Sequence, residues 1–243
     1  MSEPCTTCGG TGFTVRESEG GINVSIVCEC SKRDRSDRIL RAARIPKRYD
    51  GCTLDSFGVW QPALKLPLAR AWEWFERWPL VEVGLLFIGP PGTGKTHLGV
   101  GLLRELAVRK GAKVAFVEQR ELLKDLQSSF DGGSGRTESD VMLPILEAEV
   151  LLLDDLGAGR TSAWAMDVMH DVLAQRYNRK IPTLMTTNRS TGDDDDSTTP
   201  RDGLSLRDRL GDPLMSRIYE MCQVVPVNGA DFRRSILHAR DRF

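Results

Sequence analysis

The chain has no run approaching the roughly 20 consecutive apolar residues that a membrane-spanning helix requires. Its first ten residues hold no basic stretch followed by an apolar one. A soluble, cytoplasmic protein with no membrane partner is the expectation. Nor is there an excess of charge of one sign, since 33 Lys and Arg face 34 Asp and Glu for a formal net charge of −1. That excludes a molecule that grips nucleic acid through its overall field and leaves any such contact to a local patch. Histidine is scarce, with only His97, His170 and His238, none of them near the N-terminus. Cysteine is scarce as well, and unevenly placed. Cys5, Cys8, Cys28 and Cys30 crowd the start of the chain, while Cys52 and Cys222 stand alone. Such clustering argues for a metal site in a reducing compartment rather than a disulfide framework.

With 243 residues and 40% hydrophobic content, the chain can bury one substantial core and carry a small appendage stabilised by other means. No internal repeat is present. Residues 22–27 alternate as one strand of a hairpin. The basic stretch 31–44 reads as a connecting helix that stops ahead of Pro46. Trp72, Trp74, Phe75 and Trp78 fall on a helix before Pro79. The continuous apolar run 85–88 then has the character of a buried parallel strand. Further short apolar runs at 114–117, 150–153, 183–185 and 223–227 alternate with helical patterns at 96–109, 120–130 and 162–179. This alternation predicts an α/β fold with a parallel sheet covered on both faces. Two stretches read as loops, 131–136 and 190–203, the second carrying the acidic run Asp193–Asp196 as a solvated surface segment.

The strongest chemical signal is Gly89, Pro90, Pro91, Gly92, Thr93, Gly94, Lys95 and Thr96, with His97 directly after. It fits G-x-x-x-x-G-K-[ST] between an apolar strand and a helix start, the context a phosphate-binding loop needs. Glycines let successive backbone N–H groups wrap an anion, and the helix N-terminus adds its positive end. Lys95 reaches the β- and γ-phosphates, and the Thr96 hydroxyl can ligate Mg²⁺. The apolar run 151–153 ends in Asp154 and Asp155, where a metal-holding carboxylate and a water-orienting one belong. The strand at 183 ends in Asn188, at the carboxyl edge of the sheet where open α/β folds bind ligands. There it can touch the γ-phosphate or its water, or act as an ordinary turn residue. Arg217 lies amid apolar residues, and Arg233 and Arg234 follow Asp231; read alone, each is a surface or snorkelling arginine. At the N-terminus, C-x-x-C and C-x-C offer Cys5, Cys8, Cys28 and Cys30 as a complete tetrahedral Zn²⁺ ligand set, free thiols being the alternative.

The order of P-loop, Asp-Asp, Thr-Thr-Asn, Ser-Arg-Ile and Asp-Phe-Arg resembles the DnaC and IstB-like branch of the AAA+ ATPases, from about Ile45 to Arg234. By that resemblance Asn188 is similar to a sensor 1 residue, Arg217 to an arginine finger that reaches a neighbouring subunit's ATP, and Arg233 or Arg234 to sensor 2. AAA+ proteins commonly carry Glu where Asp155 stands, which implies slow basal hydrolysis. The first cysteine pair, continued by Gly10 and Gly12, is similar to the zinc knuckles of J-domain chaperones. The resemblance implies a zinc module at 1–31, a basic helix and lead-in segment at 32–58 and an AAA+ ATPase domain at 59–243. It also implies ATP, Mg²⁺ and Zn²⁺ as cofactors, self-association into an open ring or helical oligomer, and a hexameric replicative helicase of the DnaB type as partner. Single-stranded DNA is implied over the helices between Arg120 and Glu147, with Lys124 and Arg136 as phosphate contacts. The basic segment from Lys32 to Arg48 would meet either the helicase or phosphates. The alternatives are a transposition helper on duplex DNA, a small-molecule kinase, and an adaptor that binds ATP only as an assembly switch.

Overall fold

A computed structural model describes residues 4–17, 21–130, 135–158, 162–192 and 203–235. The chain opens with an antiparallel hairpin of β1 (Phe13–Glu17) and β2 (Asn23–Val27), in which Phe13 lies opposite Val27. Its apolar side chains stay exposed, Val15 at 70% and Phe13 at 55%, so this hairpin has no core of its own. Helix α1 (Glu29–Ala42) follows directly. It turns one side inward through Ser36, Ile39, Leu40 and Ala43, and Arg44 then adopts a left-handed φ of 56° ahead of Pro46.

The main body is a five-stranded parallel sheet of β3 (Gly84–Ile88), β4 (Val114–Glu118), β5 (Val150–Asp154), β6 (Thr183–Thr187) and β7 (Cys222–Pro226). Its spatial order is β4-β5-β6-β3-β7. Alternation along each strand sends Leu85, Phe87, Leu152 and Leu184 into one core, and Leu86, Leu151, Leu153 and Met185 into the other. The first core lies under α2 (Lys65–Arg77) and α3 (Lys95–Glu105), and the second under α4 (Gln119–Phe130), α5 (Glu138–Glu147) and α6 (Ala163–Asn178). Each fully buried Leu or Phe contributes roughly 1.5–3 kcal/mol, and both faces of the sheet are built of little else. The lead-in segment packs into the first core through Leu54 (1% exposed) and Phe57 (7%), so it is structurally continuous with the sheet.

Several elements depart from the sequence reading. Helix α5 starts from a capping box in which Thr137 and Asp140 satisfy each other's backbone N–H, and it carries Pro144 in its interior. The stretch before β7 divides at Gly211 (φ 76°) into α7 (Leu206–Leu210) and α8 (Asp212–Met221). A short α9 (Phe232–Ser235) follows β7. Helix α3 widens into a π turn at Leu106–Lys110. Of the two expected loops, residues 131–134 and the acidic run at 193–202 lie outside the described residues, as does His238.

One buried group ties the second layer together. Arg176, fully buried, donates to Thr183 Oγ1 (2.8 Å), to Ile145 O (2.8 Å) and Ala148 O (3.0 Å) at the end of α5, and to Pro182 O (2.7 Å). Four acceptors, two of them from the negative end of a helix, replace the carboxylate that a buried guanidinium would otherwise need. Among the described residues no helix is long and apolar enough to cross a membrane.

Candidate nucleotide site and cysteine cluster

The loop between β3 and α3 lies at the carboxyl edge of the sheet, where the ends of β5 and β6 also emerge. Gly94, at φ 99°, precedes the first helical residue; a Cβ there would meet Phe57 Cε2 at 2.6 Å, so both conformation and packing require glycine. Gly92, at φ 81°, lies against Asp231, whose Oδ1 would be 1.9 Å from an added Cβ. The segment after β7 is laid on the loop by Phe232 N, which donates to Gly92 O at 3.0 Å.

Lys95 is buried and its ammonium donates to Gly89 O (2.8 Å) and Pro90 O (2.6 Å). Burial lowers its pKa to about 8 against the opposing pull of Asp155 and Asp154, and Arg233 is close enough to lower it further. Thr96 Oγ1 donates to Asp154 Oδ1 at 2.9 Å, and Thr186 Oγ1 donates to the same oxygen at 2.6 Å. Burial raises the Asp154 carboxyl above its ordinary value, while these two hydroxyls oppose the rise. Thr186 also accepts from Asp155 N at 2.9 Å, fixing the strand end where Asp155 turns to a left-handed φ of 55°. Asn188 Nδ2 donates to Asp155 Oδ1 at 2.8 Å.

Lys95, Thr96, Asp154, Asp155 and Asn188 thus form one continuous constellation, drawn from the ends of three strands. Thr93 Oγ1 donates to Pro90 O within the loop at 3.0 Å. His97 is turned elsewhere: its Nε2 lies 2.9 Å from Thr53 O and 3.2 Å from Ser56 Oγ, and its ring meets Phe57 edge-on at 5.3 Å. Its side chain therefore clips the lead-in segment to α3 instead of facing the loop. Arg217 joins none of these contacts. It is half-buried on α8, where its charge acts on Tyr177 beside Glu220. Arg233 and Arg234 are exposed on α9, Arg233 N donating to Asp231 Oδ1 at 2.9 Å.

Sequence alone assigns no contact to Thr186, Asp231 or the pair Arg48 and Tyr49. Arg48 stacks over the Tyr49 ring at 4.6 Å and donates to its hydroxyl, and its charge reaches Glu118 and Asp154. Glu118 stands opposite Asp154 in the β4–β5 register, its carboxyl raised by burial and then by Glu121 and Asp154. The register of these two strands, which no local pattern specifies, makes them neighbours.

The cysteine cluster is separate. The sulfurs of Cys5, Cys8, Cys28 and Cys30 all lie within 4.8 Å of one another, Cys8 and Cys30 at 3.5 Å. Backbone N–H groups of Cys8 and Thr7 point at Cys5 and lower its thiol to about 6, whereas sulfur neighbours Cys28 and Cys8 push Cys30 up to about 12. Four thiolates cannot share so small a volume without a cation. Sulfurs about 2.3 Å from a central Zn²⁺ would have separations of this size, so the residues fit a closed tetrahedral site.

A phosphate-binding loop at the edge of a parallel sheet, with a buried Asp154, a half-buried Asp155 and a polar strand-end Asn188 beside it, has the layout of a nucleotide site of the AAA+ class. The family described as "IstB-like ATP binding protein" matches residues 32–238, and the chain belongs to this family. Its relatives include the replicative helicase loader DnaC of Escherichia coli, 22% identical over 173 residues, which are 71% of this chain and 70% of that protein. A crystal structure of the DnaC helicase loader superposes with a TM-score of 0.65 at 31% identity, over 75% of this chain and 100% of that one. A putative primosome component from Streptococcus pyogenes, at 22% identity and a TM-score of 0.59, covers 79% of this chain and 96% of its own and shares the fold. The family match begins at residue 32 and leaves out all four clustered cysteines.

Proposed function

We propose that this chain is an ATP-dependent loader of a hexameric replicative helicase onto single-stranded DNA, with ATP binding driving assembly and hydrolysis driving release. The observation that carries the ATP chemistry is the convergence of Thr96 and Thr186 on one oxygen of Asp154, with Asn188 holding Asp155 alongside. In this reading the Lys95 ammonium leaves the loop carbonyls for the β- and γ-phosphates, and backbone N–H groups of residues 92–96 wrap them. Thr96 and Asp154 would hold magnesium, which when bound supplies charge neutralisation on the phosphate oxygens. Asp155 and Asn188 orient the attacking water. Asp155 is one methylene shorter than the usual Glu and already engaged by an amide, which supports slow turnover until assembly or DNA rearranges it. Arg217 is assigned to the neighbouring subunit's ATP in an open ring or helical oligomer, and Arg233 to sensor 2.

The organisation that goes with this function is a zinc module at 1–31, a basic helix and lead-in segment at 32–58, and an ATPase domain at 59–243. Zinc has a folding role only; metal binding of this kind supplies on the order of 10 kcal/mol to a small module. The exposed hairpin, without a core, is the part offered to the helicase. The likeness to DnaC supports the loader reading. The family's IstB-like description favours one other, a helper that assists a transposase on duplex DNA. Affinity capture of the full chain from its native cell, with ATP present, separates them. A replicative helicase recovered with the wild type and not with Lys95→Ala supports the loader, and a transposase in its place overturns it.

A further inference from the structure

The charge of this protein is unevenly spread. Between Lys32 and Arg48 stand eight basic and two acidic side chains, a local net charge of +6 in a chain whose total is −1. The rest of the molecule is accordingly acidic. In the fold this basic stretch becomes one exposed ridge, because the opposite side of α1 is occupied by Ser36, Ile39, Leu40 and Ala43 against the first core. Arg38, Arg41 and Arg44 follow one another at intervals of three residues, all exposed. Arg38 and Arg41 are neighbours on the surface of α1, and Arg44 stands just past the helix end, in the left-handed turn that leads to Pro46. Asp34 and Asp37 precede Arg38 and Arg41 by four residues on the same helix, yet neither carboxylate forms an ion pair among the described residues. None of Arg33, Arg41, Arg44 and Lys47 makes an ion pair among the described residues, whereas Arg35 is engaged with Gly111 O at 2.9 Å and Lys32 with Glu29 at 2.6 Å.

The α4–α5 surface, on which the resemblance had placed DNA, has the opposite character. Among the described residues, five acidic side chains stand between Arg120 and Glu147 against three basic ones. One of those three, Arg136, faces Asp125 at 4.0 Å. A polyanion laid there meets net repulsion.

We infer that the basic patch of Arg38 and Arg41 on α1 and Arg44 in the turn after it, extended by Arg33 and Lys47, is a nucleic-acid backbone site that binds phosphodiesters without reading bases. The inference rests on the DNA-linked function proposed above but is independent of which protein is the partner. Guanidinium groups suit this ligand because each presents a planar fork of donors to phosphate oxygens. Neutralising phosphates releases condensed counterions, so binding must weaken with salt in proportion to the contacts made.

The test uses the full zinc-loaded chain without helicase, a fluorescein-labelled oligodeoxythymidylate and a duplex of equal length, titrated over a series of salt concentrations. A triple Arg38→Gln, Arg41→Gln, Arg44→Gln protein should bind the single strand at least tenfold more weakly at low salt. Its log K against log salt slope should be shallower by about 2, at about 0.7 per lost contact. The double Arg120→Gln, Lys124→Gln protein should match the wild type. ATP binding by the triple variant reports that the core is intact. The inference is overturned if the triple variant keeps the wild-type slope, or if the double variant is the one that loses binding. It is equally overturned if the triple variant loses only helicase capture, in which case the ridge meets an acidic protein surface. The loader reading itself is decided by the capture experiment and survives either result.

Discussion

Replacing Thr186 by Val keeps the shape of a buried side chain and removes only its hydroxyl, which makes the change a clean probe of the site's architecture. Thr186 is 2% exposed, donates to Asp154 Oδ1 at 2.6 Å and accepts from Asp155 N at 2.9 Å. A hydrogen bond to a charged group is worth about 1.5–3 kcal/mol, and orphaning a buried N–H costs about 1–3 kcal/mol. The added methyl returns about 1 kcal/mol. The net loss is about 1.5–5 kcal/mol, or a fall in Tm of about 3–20 °C for a chain of this size. Asp154 already titrates above its ordinary value because of burial, and without the hydroxyl it rises further. A raised carboxyl contributes most to stability at low pH and loses that contribution as pH rises through its folded value. The deficit of the Val variant should therefore shrink on acidification. Thermal melts across pH, with Thr186→Ser as the variant that restores the hydroxyl, measure all of this. A Val protein as stable as the Ser protein at neutral pH would refute the claim that this hydroxyl organises Asp154 and Asp155.

Three other outcomes follow from the same geometry. Burial holds Lys95 near a pKa of about 8. ATP affinity in calorimetry should thus fall as pH rises through that value, and binding near it should take up a proton, visible as a heat that varies with buffer. The same depressed lysine penalises the fold below about 8 and ceases to do so as pH rises towards its unfolded value, so stability and ATP affinity move in opposite directions there. Arg217→Ala should bind ATP normally and hydrolyse it about 10³-fold or more slowly. Mixed with Lys95→Ala it should recover part of the activity, and a folded, co-assembling mixture without recovery would remove the trans assignment. Elemental analysis of reduced protein should give one zinc per chain, and Cys30→Ser should unfold the hairpin module while leaving ATP binding nearly intact.

Much of the sheet and the loop that follows β3 could be read from sequence because both are local. A continuous apolar run such as 85–88 has no solvated side, and a Gly-rich turn before a helix has few other uses. The sequence also pointed to Asp154, Asp155 and Asn188, since each ends an apolar strand. What it could not supply was the side-chain parity and strand register that decide who touches whom. Thr186 and Thr187 look alike in the sequence, yet only Thr186 meets the acids, while Thr187 Oγ1 donates to Leu156 O at 2.8 Å. Glu118 reaches Asp154 only through the β4–β5 register, and Asp231 reaches Gly92 from the far end of the chain. His97 illustrates the reverse case, a residue adjacent to the motif whose ring serves the lead-in segment. Helix α7, five residues long, is too short to show a period, whereas α8 carries Leu214, Met215, Ile218 and Met221 at helical spacing and was legible in principle.

The measurement closest to the central claim is helicase deposition on a covalently closed single-stranded circle, onto which a closed ring cannot thread. The circle carries an annealed labelled oligonucleotide whose release reports a loaded helicase. With ATP, the wild-type chain should produce rapid release, Asp155→Asn should bind helicase yet stall, and Lys95→Ala should give none. Equal release with wild type, with Lys95→Ala and with no added chain would contradict the account.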